Sequence, residues 1–276
     1  MMDALQYPFI TRGLLAVLVL GPLLGGLSHL VVARRLAFFS TALGQAALTG
    51  LVIGIALGEP LNAPYAGIFG FCGVTALAMV YVKRRTSLPP DTIIGVFMSL
   101  TLGLGICLLV AATSRFNIHQ IEAVMFGSLL TLTDTDLWLL LGVGLGVGGV
   151  LAFRYNALLA DSLDPRLSRA TGANPALIEY LFVMLLTLAI TVSLKVIGAL
   201  LVEALVVVPA AAARNLARST RSYLAISIVV ALASGMGGIF ISTQWRVPTG
   251  GAVVLTLGAA FFVTLILGRL LRRAAA

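Results

Sequence analysis

A chain of 276 residues that is 60% hydrophobic and only 10% charged, with a mean hydropathy of +1.09, lies outside the range of ordinary soluble domains. Its net charge of +8 comes from basic residues at the ends of apolar runs, not from one patch, which fits positive-inside sorting and argues against a nucleic-acid surface. Apolar runs near 20 residues recur without barrel-type alternation, so the expected fold is an all-α polytopic membrane protein, a compact bundle in one transmembrane domain over residues 1–276.

The chain opens with MMDALQYPFITRG, which has no basic n-region and no cleavage site after its first apolar run, so no removable signal peptide is expected. Spans are predicted at 13–33, 40–58, 64–82, 91–113, 137–155, 178–197, 199–215, 222–243 and 250–269. That gives eight or nine crossings, because SLKVIGALLVEALVVVP, around Lys195 to Gly198, reads either as two spans or as a span plus a re-entering half-helix. The basic clusters Arg34 and Arg35, Lys83 to Arg85, Arg166 and Arg169, Arg214, Arg218 and Arg221, and Arg269, Arg272 and Arg273 are assigned to the cytoplasm. This puts the C-terminus inside and, with nine spans, the N-terminus outside. Glycine and alanine within the spans, as in GVGLGVGGV, favour close helix packing and a second copy as partner.

Two loops stand out. The cytoplasmic loop at 157–177 has a helical pattern of its own, with Asp164 and Pro165 as a start signal and Gly172 as a stop, and reads as a docking element for a partner. The external loop SRFNIHQIEAVMFGSLLTLTDTD combines an amphipathic stretch with Asp134 and Asp136, as either a vestibule lid or a surface hairpin.

The chain has no GxxxxGK[ST] loop, no nucleophile elbow and no HExxH pair, so neither P-loop ATP hydrolysis nor covalent catalysis is expected of it. Cys72 and Cys107 fall inside apolar runs without metal-ligand spacing and read as small core residues. Of ten acidic residues, most lie at span ends; Glu203 is the exception, flanked on both sides by apolar residues, and an intramembrane carboxylate marks a candidate pathway. The plainer reading is that Glu203 faces water or pairs with Lys195. His29 reads as a hydrogen-bonded packing residue, and His119 with Glu122 is too small a set for a transition-metal cage. Thr41, Gln45 and Thr49 stand four residues apart in FFSTALGQAALTG, a polar stripe on one helix face that serves equally well as interhelical glue or as substrate contact.

Three stretches resemble the permease subunit of the bacterial metal-cation ABC importers, the family that handles zinc, manganese or iron. VVARRLAFFSTALGQAALTGLVIG is similar to that family's two arginines followed by D-A-[LI]-S-H-[AG]-x-[LV]-P-G. DTIIGVFMSLTLGLGI with FNIHQIEAVMFGSLL resembles its D-T-A-I-G segment and the loop after it, and the most specific match runs from DSLDPRLSRATGANPALIE to VVVPAAAARNLARS. The resemblance covers residues from about 8 to 270. It implies an importer permease in the bacterial cytoplasmic membrane, working as a homodimer with cytoplasmic ABC ATPase subunits that bind ATP and an extracytoplasmic solute-binding protein that delivers the cation. It also implies that Asp164, Pro165, Arg166, Arg169 and Gly172 form the coupling helix that meets the ATPase.

The departures bear on substrate. Thr41 and Gln45 stand where the family has its expected cation-binding aspartate and histidine, Thr49 replaces a proline, and Glu203 replaces a small residue. A hydroxyl and a carboxamide are neutral, harder and weaker ligands than the pair they replace. One expectation is that the carboxylate has moved from position 41 to 203, so that Thr41, Gln45 and Glu203 together line the metal pathway. This requires Glu203 to lie within about 12 Å of Thr41 or Gln45, the span over which side chains can share one ion. The alternatives are a channel that leaves selection to the binding protein, a non-classical substrate, and an ion-coupled secondary transporter, which needs inverted repeats that the sequence does not display.

Overall fold

The computed structural model of the chain describes residues 8–60, 65–112, 134–163, 174–245 and 247–274. Among these residues all regular structure is α-helical: α1 (Pro8–Ala33), α2 (Phe39–Ala56), α3 (Tyr65–Arg85), α4 (Pro90–Ala112), α5 (Asp134–Leu163), α6 (Pro175–Ile197), α7 (Ala199–Leu216), α8 (Thr220–Trp245) and α9 (Thr249–Ala274). Each of the nine is long and apolar enough to cross a membrane, which decides between eight and nine. The coupling-helix residues Asp164, Pro165, Arg166, Arg169 and Gly172, and the external His119 and Glu122, lie outside the described residues.

α1 and α6 are the most enclosed helices, followed by α2, while α4, α5 and α9 keep most of their surface on the outside of the bundle. α1 packs on α5, α7 and α8; α2 packs on α3 and α4 and also reaches α6 and α7. The leucine-rich face of α1, including Leu20, Leu24, Leu27 and Leu30, is fully buried against these neighbours.

α1 ends in a Schellman turn: the Arg35 amide donates to Val32 O at 3.2 Å and the Leu36 amide to Val31 O at 3.0 Å. Arg35 takes the left-handed conformation, φ 57°, that glycine usually fills there. α6 starts with an Asn174 cap, whose side-chain oxygen accepts from Ala176 N at 2.9 Å, followed by Pro175 in the first turn. It ends at Gly198 (φ 81°, ψ 164°), and α7 begins at once, so the ambiguous stretch is two helices broken at a single glycine.

α2 crosses α3 backbone against backbone. A Cβ added at Gly50 would lie 2.6 Å from Gly67 O, and one added at Gly67 would collide with Gly50 O and with Gly54. The Glu59 carboxylate closes the same corner by accepting from Gly67 N at 3.2 Å, satisfying an amide in the first turn of α3. Lower down, the Cys72 thiol faces Leu43 O at 3.6 Å. The helices run antiparallel, with Gly50 beside Gly67 and Leu43 beside Cys72, so the first turns of α2 lie alongside the middle of α3 and α3 runs on past the start of α2. Thr41 and Gln45 therefore sit within the depth of the bundle.

Candidate functional site

Thr41, Gly44 and Gln45 form the partly open face of α2, whereas the rest of its first three turns is buried. Opposite them the N-terminal part of α7 presents Glu203 and Ala204, also partly open. The Glu203 carboxyl lies opposite the Thr41 hydroxyl, within reach of it between the two helices. One turn along α2, the Gln45 carboxamide oxygen is buried and accepts no hydrogen bond from the protein.

Gly44 faces the α6–α7 break at ordinary van der Waals distance. A Cβ at that position would lie 3.5 Å from Ala199 Cβ and 3.9 Å from Leu194 Cδ2, so the α6–α7 break rests directly on α2 between Thr41 and Gln45. The sequence brings Glu203 to the site because α7 starts immediately after Gly198, leaving the carboxylate one turn inside the new helix.

Thr49 separates from the rest of the stripe. It is fully buried, and its hydroxyl contacts Gln45 O at 3.2 Å and Thr101 O of α4 at 2.8 Å, so it ties helices together. Lys195 does not pair with Glu203. Its ammonium lies 2.9 Å from Asp136 of α5, donates to the Tyr65 hydroxyl and sits 3.7 Å from the centre of the Tyr65 ring, and Tyr65 in turn donates to Asp136 at 2.9 Å. Among the described residues no cationic group pairs with Glu203, and no group of three or more His, Cys, Asp or Glu side chains is placed to hold a metal.

Arg34, read from the sequence as a topology signal, turns out to be buried. It pairs with Asp161 at the end of α5 at 2.9 Å, with both side chains only 7% exposed, donates to Leu158 O at 3.0 Å and lies 4.4 Å from the centre of the Phe182 ring. Burial draws its pKa down from the usual guanidinium range, while Asp161 and Glu179 act in the opposite direction. Beside it, Glu179 at the start of α6 accepts from Lys83 at 2.6 Å and Arg84 at 3.0 Å. Asp161 and Glu179 thus anchor the helix ends on either side of residues 164–173, an arrangement with no sequence signal beyond the charges themselves.

His29 packs as expected, its Nε2 3.2 Å from the Tyr155 hydroxyl and its ring against those of Tyr155 and Tyr223. Cys72 is a buried core residue, but Cys107 is exposed on α4, a correction that reflects how much of that helix faces outward.

The sequence model of the ABC 3 transport family matches residues 6–268, nearly the whole chain. The chain belongs to that family. This ABC 3 family protein is 29% identical over 259 residues to the manganese import system permease protein ScaB of Streptococcus gordonii, covering 94% of this chain and 91% of that protein. It is 30% identical over 268 residues to the high-affinity zinc uptake system membrane protein ZnuB of Haemophilus influenzae, covering 96% and 98% respectively. Its fold superposes on a chain of PsaBC from Streptococcus pneumoniae, solved in complex with a Fab, with a TM-score of 0.81 at 28% identity over 95% of this chain and 93% of that one. An ABC 3 family chain of this kind is a multi-pass transport subunit of the bacterial cytoplasmic membrane.

Proposed function

We propose that this chain is the permease subunit of an ATP-binding-cassette importer that moves a divalent metal cation, with manganese favoured over zinc, and that Thr41, Gln45 and Glu203 line the cation's path. The observation that carries the reading is the unpaired Gln45 carboxamide oxygen one turn from the Thr41–Glu203 contact. A buried acceptor without a donor is costly unless something positive visits it. Carboxylate, carbonyl and hydroxyl oxygens together form a hard donor set, which suits manganese better than the nitrogen and sulfur ligands that zinc selects. The manganese and zinc permeases among its relatives support the cation class.

In this reading the cation is the cargo, released into the membrane path by an extracytoplasmic solute-binding protein. Glu203 supplies the negative charge and the two neutral oxygens complete a loose, short-lived site. Loose binding suits transport, because an ion must leave as readily as it enters. Two copies of the chain pair across the membrane, and ATP bound by cytoplasmic ATPase subunits drives alternation between outward-open and inward-open forms. The coupling loop expected over 157–177 narrows to residues 164–173, since 157–163 belong to α5 and 175–177 to α6, with Asp164, Pro165, Arg166, Arg169 and Gly172 on its docking helix; the ion pairs at Asp161 and Glu179 support this by holding the helix ends on either side.

The test is reconstitution of the chain with its ATPase and binding protein in vesicles, followed by uptake of radioactive manganese and zinc. ATP-dependent manganese uptake is expected, together with coupling that Arg169→Glu abolishes. Uptake independent of ATP and driven by an ion gradient would instead favour a secondary transporter. A second reading, a path without any metal-binding step, is favoured by the absence among the described residues of a cluster of three or more strong ligands. It predicts that uptake selectivity follows the binding protein alone.

A further inference from the structure

A groove of about 560 Å³ opens on the flank of the bundle between α1, α5 and α8. It is shaped by missing side chains: Pro22 and Gly26 line it from α1, Gly144 and Gly148 from α5, and Leu224 and Ile228 from α8. Four of the five glycines in GVGLGVGG, Gly144 being the exception, have no atom within 4 Å of an added Cβ, so this stretch is not used to bring helices together within the chain. On α5 the groove runs from Leu141 to Tyr155, which at helical rise is about 21 Å, more than the roughly 15 Å depth of one bilayer leaflet.

The walls are apolar except at the cytoplasmic end, where Tyr155 hydrogen-bonds His29 and Tyr223 packs on the same imidazole. Exposed arginines flank that end. Arg154 precedes Tyr155, and Arg221 lies three residues before Leu224 on the same face of α8. A long apolar slot with cations only at its cytoplasmic mouth matches a lipid with a negative headgroup.

We propose that this groove binds an anionic phospholipid of the cytoplasmic leaflet, one acyl chain lying along Gly144 and Gly148 and the phosphate meeting Arg154 and Arg221. The proposal rests on the fold and the groove alone and does not depend on the cation reading. Native mass spectrometry of the full chain, purified from nanodiscs containing equal phosphatidylglycerol and phosphatidylcholine, should show one retained phosphatidylglycerol per chain. Gly148→Phe, whose ring fills open space, should lose that lipid; Gly148→Ala should keep it; Arg154→Glu with Arg221→Glu should abolish the preference for phosphatidylglycerol. Equal retention of both lipids by the wild-type chain, or unchanged retention by Gly148→Phe, would overturn the proposal. Should Gly148→Phe fail to fold, phosphatidylglycerol carrying a photoreactive acyl chain, incubated with the wild-type protein, should label α5 between Leu141 and Tyr155. Labelling confined to other faces would sink the idea, as would crosslinking of two copies through Leu145→Cys, which would give the groove to a second protein chain.

Discussion

The Glu203 carboxyl on α7 and the Thr41 hydroxyl on α2 face each other across the bundle, within reach of one another. On the proposed reading, Glu203 supplies from the facing helix the negative charge that the resemblance to the metal-cation importers places at position 41, and the two departures from that pattern lie opposite one another. The break at Gly198 makes this possible, because it lets α7 start beside Gly44.

Glu203→Gln removes the formal charge that the described residues bring to this point, while keeping the size and hydrogen-bonding capacity of the side chain. Manganese uptake by the reconstituted transporter should fall about tenfold or more, equivalent to roughly 1.4 kcal/mol of lost cation stabilisation, with membrane expression unchanged. Thr41→Asp added to the same variant should restore much of the uptake, since it returns a carboxylate to the other side of the contact. A loss of expression in place of uptake would assign Glu203 a structural role.

Thr41→Asp with Gln45→His on the wild-type background puts a carboxylate and an imidazole one turn apart on the open face of α2. An imidazole is a better ligand for zinc than for manganese, so the ratio of zinc to manganese uptake should rise. Competition uptake with both radiolabelled cations measures this directly. An unchanged ratio would mean that these side chains do not meet the cation.

Gly67→Leu should separate α2 from α3, because even a Cβ there collides with the Gly50 carbonyl oxygen, which cannot rotate aside as a side chain would. Overpacking of this kind costs about 1–3 kcal/mol, so a clear drop in thermal stability in detergent is expected. Gly70→Leu, where an added Cβ meets nothing within 4 Å, is the control and should leave stability nearly unchanged. Equal melting temperatures for the two variants would remove the argument for backbone-on-backbone packing.

The spans were readable from sequence because membrane helices need near-continuous apolar length, but sequence alone leaves the count at eight or nine, and it is the break at Gly198 and the Asn174–Pro175 start of α6 in the structure that decide it. The polar stripe was readable as a register, but not which of its members is open: Thr49 is buried by the carbonyl of Thr101 on another helix, and nothing near Thr49 in sequence announces that. The partners of Lys195 and Arg34 were not legible for the same reason. Asp136 and Asp161 are each brought to their cation by the packing of α5 on α6 and α1, a long-range outcome that charge spacing does not encode.

The Arg34–Asp161 pair gives the sharpest stability test because both partners are buried. Asp161→Asn leaves the guanidinium beside Phe182 without its counter-charge, and removing one member of a buried pair typically costs about 3–5 kcal/mol. Replacing both, as Arg34→Met with Asp161→Leu, leaves no orphaned charge and should recover most of that loss in thermal stability. Transport should not recover with it if the pair also fixes the end of α5 that leads into residues 164–173. The double variant is then expected to melt near the wild type while its ATPase activity no longer responds to the loaded binding protein. Wild-type coupling in the stable double variant would limit the pair to a packing role.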